Sequence, residues 1–436
     1  MSTARRIAVV TGSRAEYGIL ASVLRAIAAQ PRLELQLVVT GIHLLRRFGC
    51  TVRQIATDGW RIDARVPMQR GDDDPLDQAQ GLARGVTGIA KALQRLNTDA
   101  VLVLGDRIEA LAGALAATTT GRLVAHVHGG DVAPGDFDDS LRHAITKLAH
   151  VHFAATRAAA RRIVRLGEQC ARVHVVGAPG LDRLRELLAE SASRRHSVWH
   201  RHPAGEQLNA LVVYHAWGRP AATERRVMDR ILRVVAGAGL RRMILFPNTD
   251  RGHRGVLTAI DAHVRTSAPD DVEVHRSLPR DDYLRALLAA DVLIGNSSSG
   301  LIEATFAGTP AVNVGGREAG RLAGGRSVIH CDETDAGIRA ALRAALRLRV
   351  RPGRATVYGD GRAAPRIARV LEPAARARVP AEDHRILSAY RPEAGTLLGG
   401  AVAGLVRSRY VRTSVSLGRA AAARRNAAWA SSNQPA

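Results

Sequence analysis

The sequence predicts an α/β protein built from two Rossmann-like, doubly wound domains with a cleft between them. Three observations predict it. Short continuous apolar runs rich in Val and Leu recur along the chain, as strands buried on both faces of a parallel sheet require. Helical stretches alternate with those runs, which is the pattern of βα units. The 436 residues suffice for two domains of ordinary size plus a tail.

In chain order, strand Ile7–Val10 leads into helix Glu16–Ala29, and strand Leu35–Thr40 follows. Strand Val101–Leu104 precedes helix Ile108–Ala117. Strand Leu123–Val127, helix Ser140–Ala149 and strands Val151–Ala154 and Val173–Val176 complete a first set. A break rich in Arg, His and Ser spans Ala189–Glu206. The second set has strands at Leu211–Tyr214, Met243–Phe246, Val272–Val274, Val292–Ile294, Ala311–Val314 and Val328–Ile329. The expected division is an N-terminal domain over 1–188, a C-terminal domain over 207–350 and a tail over 376–436. From Arg376 on, that tail carries ten Arg against three acidic residues. Its apolar run Leu397–Val406 is too short to span a bilayer, so a partly disordered extension without firm membrane association is expected.

Composition excludes several classes. The net charge is +23, yet only Lys91 and Lys147 are lysines among the 63 basic residues. An arginine skew spread through the chain, with aromatics at 3%, describes a solvated surface and not a nucleic-acid-binding face. Met1–Arg6 runs straight into the first strand, so no signal peptide is expected. Three scattered cysteines, Cys50, Cys170 and Cys331, suit free thiols in a reducing cytoplasm.

The candidate chemistry lies at strand ends. His128-Gly129-Gly130-Asp131 follows the strand Leu123–Val127, and Asp138-Asp139-Ser140-Leu141-Arg142-His143 opens the next helix. Acid/base groups on such a turn face the ligand crevice of an open α/β sheet. Asp106 and Arg107 follow the strand Val101–Leu104, and His215 ends the first strand of the second domain. Lys147, in a chain with almost no lysine, suggests a constrained site for a compact ammonium. Gly295-Asn296-Ser297-Ser298-Ser299-Gly300 stands between a strand and the helix Leu301–Ala307. Free N–H groups and hydroxyls at a helix N-terminus make a diphosphate cradle, and Glu303, one turn in, can reach a ribose. Arg14, in the turn after the first strand, marks a second anion site by the same logic. The alternate histidines His126/His128 and His150/His152 have metal-ligand spacing on a strand, but a metal site would leave the Ser-rich cradle idle. Neither a metal nor a cofactor is therefore expected.

At this point GSRAEYG, GDR, HGGD, DDSLRHAITKLAH, LFPNTD, GNSSSG, the pair Arg317/Arg321 in GGREAGR, and YGDGRAAPRI resemble the hydrolysing UDP-N-acetylglucosamine 2-epimerases. The resemblance runs in order from about Arg6 to Leu371. It implies a glycosyltransferase-B-like fold, a UDP-sugar substrate bound to the C-terminal domain, a homodimer, and a helix within 358–372 that crosses back to the first domain. The implied reaction is UDP-GlcNAc plus water to ManNAc plus UDP, as in sialic acid biosynthesis. The C2 proton of that sugar is hardly acidic, so it leaves only as the C1–O bond breaks. A glycal results, and water re-adds with inversion at C2. The resemblance then implies that Arg14, Ser297, Ser298 and Arg317 hold the diphosphate and Glu303 the ribose. It places Asn248, Asp250, Arg321 and Lys147 among the other binding residues. Asp106, Asp131 and Asp139 do acid/base work, with Arg107, His143 and His215 orienting or shuttling. This chain departs from the family's usual Gly-Gly-Glu at Asp131, and from its usual His-Pro at Ala216-Trp217-Gly218-Arg219. The second departure opens an alternative substrate, UDP- or GDP-linked N,N'-diacetylbacillosamine. A non-catalytic sugar-nucleotide binder is the alternative from another class.

Overall fold

The computed structural model describes residues 4–46, 49–70, 75–132, 138–190, 207–247 and 250–374. The tail over 376–436 and Asn248 lie outside the described residues. Seven strands form the first sheet: β1 (Arg5–Thr11), β2 (Leu33–Thr40), β3 (Ala64–Val66), β4 (Ala100–Leu104), β5 (Leu123–Val127), β6 (Val151–Ala154) and β7 (Val173–Val175). Six form the second: β8 (Asn209–Val213), β9 (Arg241–Leu245), β10 (Val272–His275), β11 (Val292–Gly295), β12 (Ala311–Val314) and β13 (Val328–Cys331). Their orders are β3-β2-β1-β4-β5-β6-β7 and β10-β9-β8-β11-β12-β13. The pairings are parallel throughout.

In each sheet the order reverses between two neighbours, β1 and β4 in the first, β8 and β11 in the second. Connections leave such a pair in opposite directions, so a crevice opens beyond the strands' carboxyl ends. β4 and β5 are buried along their whole length, which is why they read as unbroken apolar runs. β3 escaped notice in the sequence because an edge strand of three residues, Ala-Arg-Val, carries no run long enough to recognise. The helix Pro75–Arg95, which follows it, was likewise not anticipated.

Each sheet is covered on both faces. Ile7, Val9, Leu24, Leu37 and Phe153 share one core with Ala364, Ile367 and Leu371 of the late helix Ala363–Ala374. The second sheet buries Leu211, Val213, Met243 and Leu293 against Leu181, Leu184 and Leu187 of the helix Gly180–Ala189. Thus one helix from the first half covers the second sheet, and one that follows the second sheet returns to the first. Asp182 fastens this exchange by accepting from the backbone N–H of Ala363 at 2.9 Å and of Ala364 at 2.7 Å. It serves as an N-cap supplied from a distant part of the chain. No helix among the described residues is long and apolar enough to cross a membrane.

Candidate active site

The carboxyl edge of the first sheet begins with Gly105, Asp106 and Arg107 beyond β4. His126, in β5, is buried, and its Nε2 donates to the Gly105 carbonyl at 2.8 Å. Burial pushes its pKa down to about 3, so the imidazole is neutral, and its bond to Gly105 makes it a strut between the ends of β4 and β5. Beyond β5 the backbone turns sharply, with His128 at φ 65° and Gly130 at φ 71°. A Cβ on Gly130 would sit 2.3 Å from the Ala159 carbonyl oxygen, which accounts for glycine there. The turn brings the buried Asp131 carboxylate back to His128, 2.8 Å from Nδ1. A left-handed non-glycine residue is uncommon, and strain of this kind gathers at functional sites.

Arg142 organises the group. It stands in the helix Asp138–Leu148, is 3% exposed, and donates to the His128 carbonyl at 3.2 Å. Its guanidinium pairs with Asp106 and lies 3.7 Å from Asp139. One buried cation therefore ties two of the predicted carboxylates to the HGGD turn. Burial, together with the charge of Arg321, lowers its pKa. His143 lies one turn beyond Asp139, and its buried Nδ1 has no hydrogen-bond partner among the described residues. Arg142 and His128 belong to the sequence motif, but their roles emerge only from these contacts. The signal was available, since an Arg three residues after Asp139 on a helix faces the same way.

The second sheet supplies the facing edge. Asn296 joins the ends of β8 and β11, accepting from the His215 N–H at 2.7 Å and donating to the His215 carbonyl at 2.9 Å. Burial, with Arg317 adding to it, pushes His215 down to about 3, so this histidine is uncharged at neutral pH. Ser297 caps the helix Ser298–Ala307 by accepting from Ser299 N–H at 3.4 Å. Gly295 is required, because a Cβ would lie 2.0 Å from the Val213 carbonyl oxygen. The buried Glu318 holds both predicted arginines, Arg317 at 2.7 Å and Arg321 at 3.2 Å. Arg317 also donates to the Asn296 carbonyl at 3.1 Å.

The two edges face each other. Arg321 reaches the Val132 carbonyl at 3.4 Å. Burial opposes its charge, but Glu318, Asp131 and, to a smaller extent, Asp139 outweigh that and raise its pKa. From the other side Arg14 donates to the Leu278 carbonyl at 2.6 Å and pairs with Ser277. Asp250 adds its charge to the field at Arg107, whose pKa is raised chiefly by Glu109.

Two predicted residues stand apart from this convergence. Glu303 is buried, with one oxygen paired to Arg280 and the other accepting from Ser299 at 2.5 Å. Both oxygens are already engaged, and Tyr283 closes the group through Ser299. Lys147 lies away from the groups gathered at the strand ends. It lies at the far end of its helix, bonded to Glu168 at 2.5 Å and to the Leu166 carbonyl at 3.2 Å. Leu166 is the C-cap of the helix Arg157–Arg165, so the ammonium caps a helix end, a role any flexible cation fills. Lys147→Ala is accordingly expected to leave turnover within about twofold of wild type, as initial rates will show.

Beneath the first edge lies the buried Glu16, whose Oε2 accepts from the Gly12 N–H at 2.9 Å. Burial pushes its pKa up to about 8, with the charge of Glu109 adding to the effect. The unfolded chain ionises this group near 4.5 while the folded chain still holds the proton, so stability falls as pH rises from there toward 8. Glu16→Gln is expected to be more stable than wild type at pH 8 and to lose most of that advantage at pH 5. Chemical denaturation at the two pH values checks this.

A family profile described as UDP-N-acetylglucosamine 2-epimerase matches residues 25–372. The UDP-N,N'-diacetylbacillosamine 2-epimerase (hydrolyzing) of Legionella pneumophila is 32% identical over 369 residues, covering 84% of this chain and 96% of its own. A UDP-N-acetylglucosamine 2-epimerase of Neisseria meningitidis is 30% identical over 348 residues, 79% of this chain and 88% of its own. Among solved structures, the Neisseria meningitidis UDP-GlcNAc 2-epimerase bound to UDP-GlcNAc superposes with a TM-score of 0.69 at 15% identity, over 84% of this chain and 99% of that one. S. aureus MnaA, in a co-structure with UDP, gives 0.67 at 17% identity, over 85% and 96%. The shared architecture is the glycosyltransferase-B-like pairing of two parallel-sheet domains.

Proposed function

We infer the reaction from the premise that this chain belongs to the UDP-N-acetylglucosamine 2-epimerase family: it is a hydrolysing 2-epimerase that converts UDP-GlcNAc and water to ManNAc and UDP. One observation carries the reading. Asp106 and Asp139 pair with the buried Arg142 on one edge, Asp131 joins them through His128, whose carbonyl Arg142 also holds, and Arg317, Arg321 and the helix N-terminus at Ser297 and Ser298 face them from the other. A reaction that breaks C1–O before or as it removes a poorly acidic C2 proton needs this division. Cations and free N–H groups take up the charge that develops on the leaving UDP. Carboxylates at the sugar serve the positive charge at C1 and move the C2 proton. His215, held uncharged by burial and by Arg317, is suited to accept or donate a hydrogen bond between them rather than to take up a proton.

The mechanism follows in three steps. The diphosphate leaves C1 as a carboxylate takes the C2 proton, giving a glycal. Water then adds across the double bond, with protonation of C2 on the opposite face. ManNAc and UDP leave the opened cleft. The Asp131–His128 contact holds one carboxylate at the sugar, and the Arg142 contacts hold the other two.

A second reading, the same reaction on UDP- or GDP-linked N,N'-diacetylbacillosamine, is favoured by the loop after His215. Arg219 stacks on Trp217 at 4.8 Å and binds Glu333 through two contacts of 2.8 and 2.9 Å. Trp217 is thereby a fixed wall, and its ring edge lies 3.6 Å from the position a Cβ on Gly316 would take, beside Arg317. An apolar wall suits a deoxy, acetamido-bearing sugar better than a hydroxylated one. The 32% identity to the Legionella pneumophila relative supports this reading too.

Proton NMR of the protein with UDP-GlcNAc in deuterated water tests the first reading. Free ManNAc carrying deuterium at C2, together with UDP, is expected. Intact UDP-GlcNAc beside turnover of UDP-N,N'-diacetylbacillosamine would select the second. Broadened uridine signals with neither sugar converted would mark a binder without chemistry.

A further inference from the structure

Glu109 is fully buried beneath the first sheet's carboxyl edge, yet it belongs to none of the groups described above. Its surroundings are built around it. A Cβ on Gly12 would lie 2.4 Å from its Cγ, and one on Gly41 would lie 2.5 Å from its Oε1. Real Cβ atoms do not come so close, so the glycines after β1 and β2 leave the room this side chain occupies. Gln69, beyond β3, donates to Oε1 at 3.0 Å. Oε2 is buried without a hydrogen bond among the described residues and lies 3.4 Å from Nε of Arg107. Four strand ends of one sheet thus contribute to placing one carboxylate.

Arg107 itself is only partly covered and sits at the start of the helix Ile108–Thr119. The carboxyl groups that act on it after Glu109 are Glu16, once ionised above about pH 8, and Asp250 of the second half and Asp138. Carboxyl groups from both halves thus act on it, on the side where the two sheets' carboxyl edges face each other. The other titratable groups facing Glu109 are Glu16 and His43, whose pKa burial lowers to about 4, so His43 supplies no cation there. Burying an anion is costly unless its charge is used, and a neutral side chain of the same shape fills a core without that cost.

We propose that Glu109 is a positioning residue for the epimerase reaction: from beneath the first sheet's carboxyl edge its carboxylate fixes the direction of the Arg107 guanidinium. The proposal rests on the role given to Arg107 at the substrate. Arg107 is the outer, reaching member of the pair and Glu109 the inner, immobile one. Glycine at 12 and 41 is then a requirement of the pair and not of the turns alone.

The test is steady-state turnover and calorimetric UDP binding for Glu109→Gln, Glu109→Asp, Arg107→Ala and the double variant Arg107→Ala/Glu109→Gln, on whichever sugar nucleotide the wild type converts. Glu109→Gln keeps shape and removes charge. It is expected to lower kcat about 10- to 100-fold, the cost of a misdirected group, with UDP affinity held within about threefold and an unchanged or higher melting temperature. Glu109→Asp keeps the charge but withdraws it, and a loss of several-fold is expected. In the Arg107→Ala background Glu109→Gln is expected to change nothing further, because its partner is gone. Equal losses with and without Arg107, or wild-type kcat in both Glu109 variants while Arg107→Ala is impaired, would overturn the proposal alone. Wild-type activity in Arg107→Ala would remove the role given to Arg107 and the proposal with it. So would a wild-type protein that converts neither sugar nucleotide.

Discussion

Asp106→Asn is expected to lower kcat by about 10²- to 10⁴-fold, the range lost when a positioned acid or base is removed. UDP affinity should change by less than about threefold, because the diphosphate is assigned to groups on the facing edge. Asparagine keeps the size of the side chain and its reach to Arg142, so the geometry of the HGGD turn survives. The loss then belongs to the charge and the proton-carrying capacity of the group, not to a collapsed site. Initial rates and a calorimetric titration with UDP separate the two quantities. A large drop in UDP affinity with little change in kcat would contradict a role at the sugar and move Asp106 to the diphosphate.

Arg280→Met is expected to lower folding stability by about 3–5 kcal/mol, the usual cost of breaking a buried ion pair from one side. Glu303 is 6% exposed and has only the Ser299 hydroxyl left once Arg280 is gone. Arg280 also donates to the Gly180 carbonyl at 3.0 Å, at the start of the helix that covers the second sheet. The double variant Arg280→Met/Glu303→Leu should recover most of the loss, since it removes both charges and keeps the volume. Denaturant unfolding of the three proteins checks this. A single-variant loss below about 1 kcal/mol would place the pair in solvent rather than in the interior.

Much of the fold was legible in the chain because parallel strands covered on both faces cannot alternate polar and apolar residues. Leu123–Val127, Val151–Ala154 and Ala311–Val314 coincide with the observed strands for that reason. Helix starts were less legible. The helices expected at Glu16, Ser140 and Leu301 begin at Arg14, Asp138 and Ser298, because capping and first-turn residues are polar and look like loop. The strand-end motifs identified the candidate site, since a carboxylate or a glycine just beyond a buried strand has few other purposes. Lys147 shows what that reasoning leaves out. Its rarity was a property of composition, and its partners, Glu168 and the Leu166 carbonyl, lie beyond the far end of its helix.

By itself the sequence determined the two parallel sheets, the family and the set of polar groups at their carboxyl edges, because these follow from local periodicity and from residue order along single strand–turn–helix units. Only the tertiary structure decided which of those groups act together. Arg142 meets Asp106 across 36 residues of chain, Arg321 meets Val132 across 189, and Asp182 caps a helix 181 residues away. Glu109 is read as a core residue or a surface one equally well until Gly12, Gly41 and Gln69 are seen to close around it. The physical reason is that a charge has no fixed meaning in sequence. Its partners and its burial give it one, and both are set by how the strand ends converge in space.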